Sequence, residues 1–219
     1  MANIGSKSGL AIVLSKVKGF ENPKVSAEQY ITDSEVAASV LWEAFMSEDL
    51  KNESIIADFG CGTGILGIGA LILGVKQVFF IDSDAEVMEI AKKNLEKVKS
   101  EGLIEGEAIF IHSDITEFDK KVDVVIENPP FGVKVRHADK VFLEKAMNSA
   151  PVIWTLHKSE SKKFISALSE DKGFEISKEM QFDFPLKSTM RFHKRRIHRI
   201  NVSAFRLYRK SKISKHPRK

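Results

Sequence analysis

The residues whose types and spacing best suit a chemical role in this chain form the short run Asn128, Pro129, Pro130 and Phe131. They follow an apolar segment, residues 122–127, that predicts a buried strand. Pro129 restricts Asn128 to extended backbone angles, and two consecutive prolines stiffen the loop. The loop therefore presents one side-chain amide, the carbonyl of Pro129 and a flat ring on which a base can stack. We predict a clamp for a planar group that carries an NH2.

Such a clamp suits an amine that is a poor nucleophile because its lone pair is delocalised into a ring. Two acceptors on the amine hydrogens push the nitrogen toward a tetrahedral, more nucleophilic shape. Orientation against an electrophile then supplies much of the rate, and no base of tuned pKa is required. The alternative for these four residues is a simple turn, since Asn and Pro are both turn formers.

A glycine-rich turn lies upstream, between a predicted strand at 55–59 and a predicted helix from Leu66 to Leu73. Its sequence, residues 60–64, follows the pattern G-x-G-x-G, and Asp58 lies just before it. A strand, a glycine turn and a helix in this order open a doubly wound α/β fold. Glycines allow a ligand to approach the backbone closely. The turn therefore predicts a ligand site at the carboxyl edge of a sheet.

Two more acidic residues follow predicted strands. Asp82 ends the strand at 78–81, where a carboxylate can accept both hydroxyls of a ribose, whereas Asp84 is expected to cap the next helix. Asp114 and Ile115 follow the strand at 108–111 and are placed to flank an adenine ring. A turn or helix cap is the alternative role for Asp114.

The remaining patterns complete an α/β chain. They predict helices at 6–18, from Thr32 or Asp33 to about Met46, at 85–99, at 138–148 and from Ser159 to Leu168, and strands at 152–156, 174–182 and 199–208. We expect one domain over residues 1–210, whose first 50 residues form a helical segment that covers the predicted ligand or cofactor site. Residues 211–219 are expected to form a flexible basic tail.

Composition limits the class of protein. A chain of 219 residues with 43% hydrophobic and 29% charged residues is typical of a soluble globular domain. The sequence lacks an apolar run long enough for a membrane helix, and it lacks the features of a signal peptide. The single cysteine, Cys61, cannot form an internal disulfide, which favours a reducing, cytoplasmic setting.

Positive charge is concentrated at the C-terminal end. Residues 185–219 hold 13 of the 34 Lys and Arg residues and none of the 30 Asp and Glu residues. This asymmetry indicates a phosphate-bearing partner. The interleaved residues expected to contact nucleic acid are Arg191, His193, Lys194, Arg195 and Arg196. For residues 210–219 a solvated tail is the preferred interpretation.

Histidines do not indicate a metal centre. The six are scattered and lack zinc-ligand spacing, so no metal site is predicted. His157, near the end of a predicted strand, is expected to lie on the surface or to face RNA.

The ordered set Asp58 to Gly64, Asp82, Asp114 and Asn128 to Phe131 resembles the class I S-adenosylmethionine-dependent methyltransferases. That resemblance implies a Rossmann-like sheet of seven strands, the last antiparallel, with helices on both faces. It also implies S-adenosylmethionine as cofactor and S-adenosylhomocysteine as product. In that superfamily, an Asn-Pro-Pro-aromatic motif marks methylation of a nitrogen on a planar group.

Other segments resemble one subfamily, the methyltransferase-like protein five family of small-subunit rRNA adenine-N6 methyltransferases. They are residues 19–24, 28–32, 128–132, 156–159 and 192–194. The resemblance covers about residues 10–208. It implies that the cofactor contacts include Gln29, Thr32, Asp58, Gly60, Thr63, Gly64, Ile65, Asp82, Asp114 and Ile115. Ile31 departs from the family, which often has proline there, and Thr63 stands where some members have cysteine.

The resemblance also implies partners. The substrate would be small-subunit ribosomal RNA, and eukaryotic members work with a small Zn-binding activator protein that shields an apolar surface. Two alternatives remain open. One is a protein glutamine-N5 methyltransferase, which shares the Asn-Pro-Pro motif but usually has tyrosine after it. The other is a non-catalytic RNA-binding assembly factor that keeps the fold.

Overall fold

Seven strands form one sheet in the computed structural model, which describes residues 4–20, 32–130, 138–186 and 198–210. The strands in chain order are β1 (Ile55–Phe59), β2 (Gln77–Asp82), β3 (Glu107–His112), β4 (Val124–Glu127), β5 (Val152–Lys158), β6 (Phe174–Leu186) and β7 (His198–Arg209). Their order in the sheet is β3-β2-β1-β4-β5-β7-β6. Neighbours from β3 to β5 are parallel, whereas β7 is antiparallel to both β5 and β6. The predicted seven-stranded fold with an antiparallel last strand is confirmed.

Six α-helices accompany the sheet in the described ranges: α1 (Lys7–Leu14), α2 (Ser34–Met46), α3 (Ile65–Ile72), α4 (Ala85–Ser100), α5 (Ala138–Ser149) and α6 (Lys162–Asp171). Asp33 and Asp84 cap α2 and α4 by accepting backbone N–H bonds, so the predicted Asp84 cap is confirmed. The prediction that Ser159 caps α6 is wrong. Residues 159–161 form a 3₁₀ turn, and the Ser159 hydroxyl bonds to the Ser203 hydroxyl instead.

Helices cover both faces of the sheet, because successive strand residues point to opposite sides. Ile56 packs in one apolar cluster with residues of α1, α2 and α3, whereas its neighbour Ala57 packs in a second cluster with residues of α5 and α6. Within the described ranges, no helix has the length and apolar character needed to cross a membrane.

The strand registers align the carboxyl ends of the central strands. Phe59 of β1 pairs with Ile81 of β2 and with Glu127 of β4, and Ile81 pairs with Ile111 of β3. The loops that follow these four strands therefore open at one edge of the sheet. In open α/β sheets this edge is where ligands bind.

Candidate active site

The turn between β1 and α3 has an unusual backbone. Gly60, Gly62 and Gly64 all have positive φ angles, of 63°, 55° and 86°. L-residues adopt this left-handed region only at a cost, so glycine is the suitable residue at these positions. A Cβ atom on Gly60 would lie 2.9 Å from the Phe142 ring, and one on Gly62 would lie 3.3 Å from the Phe20 ring.

Hydrogen bonds fix this turn to the end of β2 and to α3. The backbone N–H of Cys61 donates to the Ile81 carbonyl at 3.0 Å, and that of Gly62 donates to Asp82 Oδ2 at 2.9 Å. Asp58, which is buried, accepts a bond of 2.8 Å from the Gly67 N–H in α3. Burial raises the pKa of Asp58 to about 7; the Gly67 bond opposes this shift, and the nearby Asp82 carboxylate adds to it.

Asp82 lies where the sequence places it, at the carboxyl end of β2. Its Oδ2 accepts from Gly62, and its Oδ1 accepts the backbone N–H of Asp84 at 3.0 Å. Burial raises the pKa of Asp82, while the bonds from Asp84 and Gly62 oppose the shift. Each carboxylate oxygen retains a lone pair beyond the bond it accepts, so the group can still receive hydroxyl donors.

Asp114 acts as a cap in this structure. Its Oδ1 accepts from the Thr116 backbone N–H at 2.8 Å and from the Thr116 hydroxyl at 2.6 Å, and these bonds lower its pKa. Ile115 is 5% exposed and packs in the second apolar cluster. The capping alternative is therefore realised, and Asp114 remains exposed beside the aligned strand ends.

Asn128 directly follows β4, as predicted. Its Nδ2 donates to the hydroxyl oxygen of Thr32 at 2.9 Å, and Thr32 is 6% exposed. The other end of the amide, Oδ1, is buried and has no hydrogen-bond partner among the described residues. A buried, unpartnered acceptor costs free energy. The site therefore holds an acceptor that is available to an incoming donor.

Asn94 contributes to this site, although it lies in none of the sequence motifs. Asn94 lies on α4 and is 2% exposed. Its side-chain oxygen accepts a bond from the Lys18 N–H, and its side-chain nitrogen donates to the carbonyls of Lys18 and Thr63, each at 2.9 Å. One amide thus joins the segment after α1 to the glycine turn. The signal available in the sequence was a polar residue on the apolar stripe of α4, beside Leu95 and between Ala91 and Val98.

A second buried polar group lies beneath the Asn128 loop. The Thr155 hydroxyl donates to Glu127 Oε1 at 2.9 Å and lies 2.8 Å from His157 Nε2. Burial raises the pKa of Glu127 to about 8 and lowers that of His157 to about 4. The prediction that His157 lies at the surface is wrong, since it is 1% exposed. It shares the buried sheet face of Ile153 and Thr155, which strand alternation could have revealed.

Two basic residues of the C-terminal segment have partners within the fold. Arg206 forms a bidentate ion pair with Asp49, with nitrogen–oxygen distances of 2.7 Å, and Asp49 also accepts from the Trp154 indole. The Arg209 guanidinium lies 4.6 Å from the centre of the Phe174 ring. These contacts tie the two β7 arginines to other parts of the fold.

Several predicted site residues lie outside the described residues. They are Gln29, Phe131, Arg191, His193, Lys194, Arg195 and Arg196, together with the predicted tail at 211–219. The predicted residues that the structure does bring to the same sheet edge are Thr32, Asp58, Gly60, Thr63, Gly64, Ile65, Asp82, Asp114, Ile115, Asn128, Pro129 and Pro130.

Comparison with known proteins identifies the family. The methyltransferase small domain matches residues 31–153. METTL5 from Danio rerio, named an rRNA N(6)-adenosine-methyltransferase, is 32% identical over 88% of this chain and 94% of its own length. The chain belongs to the METTL5 family. Protein MJ0284 from Methanocaldococcus jannaschii is 36% identical over 92% of this chain and 93% of its own length. The crystal structure of PH1948 from Pyrococcus horikoshii has a TM-score of 0.84 at 37% identity, over 94% of this chain and 98% of that one.

Membership of this family makes the chain a methyltransferase with S-adenosylmethionine as its cofactor. The described residues suit that group. The turn at Gly60 and Gly62 leaves backbone without side chains next to the Asp82 carboxylate, which can receive ribose hydroxyls. Residues 62–67 also match the dinucleotide pattern G-x-G-x-x-G, so the family comparison, and not the glycine spacing, identifies the cofactor.

Proposed function

We propose that this chain transfers a methyl group from S-adenosylmethionine to N6 of an adenosine in small-subunit ribosomal RNA. The observation that carries the proposal is the buried Oδ1 of Asn128, which lacks a partner among the described residues and lies in the loop that opens beside the glycine turn. The names of the METTL5 relatives in Danio rerio, Drosophila melanogaster and Caenorhabditis elegans support the same reaction.

The proposed catalytic group is the loop Asn128 to Phe131. Asn128 Oδ1 accepts one N6 hydrogen and the Pro129 carbonyl accepts the other, which directs the nitrogen lone pair out of the base plane. Pro130 stiffens the loop, and Phe131 stacks on the adenine. When bound, S-adenosylmethionine supplies an electrophilic methyl carbon. The N6 lone pair would form the new bond to that carbon as the sulfur–methyl bond breaks, its electron pair would return to sulfur to leave S-adenosylhomocysteine, and the surplus N6 proton would leave to water. Orientation supplies much of the rate.

The residues proposed to hold the cofactor surround this loop. Asp82 accepts the ribose hydroxyls, and Asp114 and Ile115 contact the adenine end, with Asp114 accepting through the Oδ2 that its cap bonds leave available. The remaining proposed contacts are Gln29, Thr32, Asp58, Gly60, Thr63, Gly64 and Ile65. The target base must leave its stack to reach the site, as base-modifying enzymes require.

RNA phosphates are the proposed ligands of Arg191, His193, Lys194, Arg195 and Arg196. Support comes from the charge distribution, since residues 185–219 contain no acidic residue.

We place the reaction in the cytoplasm, where the single thiol of Cys61 stays reduced. The catalytic domain in this proposal is residues 1–210, with 1–50 covering the cofactor and 211–219 as a flexible tail.

A small Zn-binding activator protein is the proposed protein partner. Support comes from β3, which lies at the edge of the sheet with half-buried Ala108, Ile109, Phe110 and Ile111. An apolar edge strand with open backbone groups favours coverage by another chain. Methyl transfer and thermal stability should both increase when the chain is co-purified with such a partner.

A methyl-transfer assay tests the reaction. Purified protein with tritiated S-adenosylmethionine is offered small ribosomal subunits, naked rRNA and a glutamine-bearing peptide, and the products are separated by nucleoside mass spectrometry. The expected result is N6-methyladenosine in rRNA. Asn128→Ala should abolish turnover while leaving cofactor affinity nearly unchanged. Asn148→Ala, on an exposed position of α5, is the matched control and should behave as the wild type.

The other outcomes separate the alternatives. Label in the glutamine peptide would replace the proposal with a protein methyltransferase. Tight RNA binding that ignores the cofactor, with no label even in the presence of a Zn-binding partner, would indicate a non-catalytic assembly factor. An equal loss of cofactor binding in Asn128→Ala would show that the role given to Asn128 is wrong.

A further inference from the structure

The contact between Thr32 and Asn128 joins two parts of the site that are far apart in the sequence. Asn128 Nδ2 donates to Thr32 Oγ1 at 2.9 Å, across 96 residues of chain. Thr32 immediately precedes Asp33, the cap of α2, so its backbone position is fixed by a helix start. The hydroxyl is therefore a rigidly placed acceptor.

An asparagine amide can present either of two ends to a site. Its oxygen accepts hydrogen bonds, whereas its nitrogen only donates them. In this structure the nitrogen is held by Thr32, which leaves Oδ1 as the buried end, without a partner among the described residues. The reverse orientation would place an NH2 group where an amine substrate also brings donors, and the two would repel each other.

We propose that Thr32 is a positioning residue that selects the acceptor orientation of the Asn128 amide. This inference rests on the proposed function, because the selected orientation matters only for a substrate that donates hydrogen bonds. In this role Thr32 acts through Asn128, whereas the sequence resemblance implies that Thr32 contacts the cofactor directly. The two roles are compatible, since an oxygen that accepts from Asn128 still has its own O–H to donate.

The consequence is a separation of kinetic effects. Loss of the hydroxyl frees the amide to rotate, so a fraction of the enzyme presents the wrong end to the substrate. The methyl-transfer rate constant at saturating cofactor and RNA should then fall by about tenfold, the equivalent of one lost neutral hydrogen bond. A residue that served only to bind cofactor would instead raise the cofactor dissociation constant and leave that rate constant unchanged.

Thr32→Val and Thr32→Ser form the matched pair for the test. Val keeps the shape and removes the hydroxyl, and Ser keeps the hydroxyl. Single-turnover methyl transfer and cofactor binding are measured for both. We expect Val to lose about tenfold in rate with little change in cofactor affinity, and Ser to retain the wild-type rate. A Val variant whose only defect is in cofactor binding overturns the proposal.

A spectroscopic measurement keeps the test independent of activity and of a folding defect in the Val variant. The side-chain NH2 resonances of Asn128 are assigned by their loss in Asn128→Asp, and their hydrogen exchange is followed in ¹⁵N-labelled protein. Slow exchange in the wild type and Thr32→Ser, with fast exchange in Thr32→Ala, supports the positioning role. Equal exchange in all three overturns it. Failure of the proposed function would appear differently, as unchanged methyl transfer in Asn128→Ala.

Discussion

Thr155 donates a hydrogen bond of 2.9 Å to Glu127 across two parallel strands, and neither residue has any exposed surface. Glu127 Oε2 has no partner within the described residues. With a folded-state pKa of about 8, the carboxyl is mainly protonated at neutral pH. The residue that precedes the proposed catalytic loop is thus an uncharged buried acid.

Glu127→Gln should make the protein more stable than the wild type at alkaline pH. The pKa of Glu127 rises from its ordinary value of 4.5 to about 8 on folding. Between these values the unfolded chain has lost the proton that the folded chain keeps. The wild-type free energy of unfolding therefore falls as pH rises, by up to about 1.4 kcal/mol per pH unit. The Gln variant lacks this term, so the difference grows from about pH 4.5 to pH 8.

Urea denaturation at several pH values measures this difference. Glu96→Gln, on an exposed position of α4, is the matched control and should follow the wild type at every pH. Asp58 also has a raised pKa, but its contribution is common to all three proteins and cancels in the comparison. Parallel curves for the wild type and Glu127→Gln would show that the carboxyl is already ionised in the folded protein.

Gly60→Ala should damage both stability and cofactor binding, whereas Gly102→Ala should affect only stability. Both glycines have positive φ angles, of 63° and 74°. A Cβ on Gly60 meets the Phe142 ring at 2.9 Å, but one on Gly102 meets no atom of the described residues within 4 Å. Gly102→Ala should therefore cost only the backbone strain, about 1–2 kcal/mol. Gly60→Ala should cost more and weaken cofactor binding.

Chemical denaturation and calorimetric cofactor titration of Gly60→Ala and Gly102→Ala separate the cost of backbone strain from the cost of the steric clash with Phe142. If both variants lost the same stability and both bound cofactor normally, the close approach at Gly60 would have no functional meaning.

The sheet and its edge were predictable because they depend on local patterns. Apolar runs bounded by Gly60, Asp82 and Asn128 mark strand ends, and parallel strands bring those ends together. The Asp84 cap was equally local, since a capping carboxylate reaches only the next turn of its own helix.

The contacts that hold the site could not be read from local patterns. Asn94 bonds to Lys18 across 76 residues, and Asn128 bonds to Thr32 across 96. Composition near either residue does not encode such a pairing, because it depends on the packing of α4 and on the position of the start of α2. The number of basic residues in the C-terminal segment overstates its free positive charge, because Arg206 forms an ion pair with Asp49.

Replacement of both Arg195 and Arg196 by Ala should weaken RNA binding and reduce its salt dependence. A protein that neutralises phosphates releases counterions, and each lost contact lowers the slope of log affinity against log salt by about 0.7–0.9. We expect a reduction of about 1.5 for the double variant. Lys212 and Lys215, replaced together by Ala, remove the same charge from the predicted tail and should leave the slope nearly unchanged. Fluorescence anisotropy at several salt concentrations checks this. Equal slopes for the two double variants would mean that charge, and not its position, determines binding.

Asn94→Leu should weaken cofactor binding by about tenfold or more. The variant keeps the approximate size of the side chain but leaves the buried Thr63 carbonyl and the partly buried Lys18 N–H without their partner, at about 1–3 kcal/mol for the buried group. The glycine turn then loses its link to the segment that places Phe20 over Gly62. Lys97→Ala is the matched control on the same side of α4, since its 3.3 Å bond to the Lys16 carbonyl is exposed and contributes little. Calorimetric titration with S-adenosylhomocysteine, below the melting temperature of every variant, gives the result. An Asn94→Leu protein that melts earlier but binds with wild-type affinity would limit Asn94 to a role in stability.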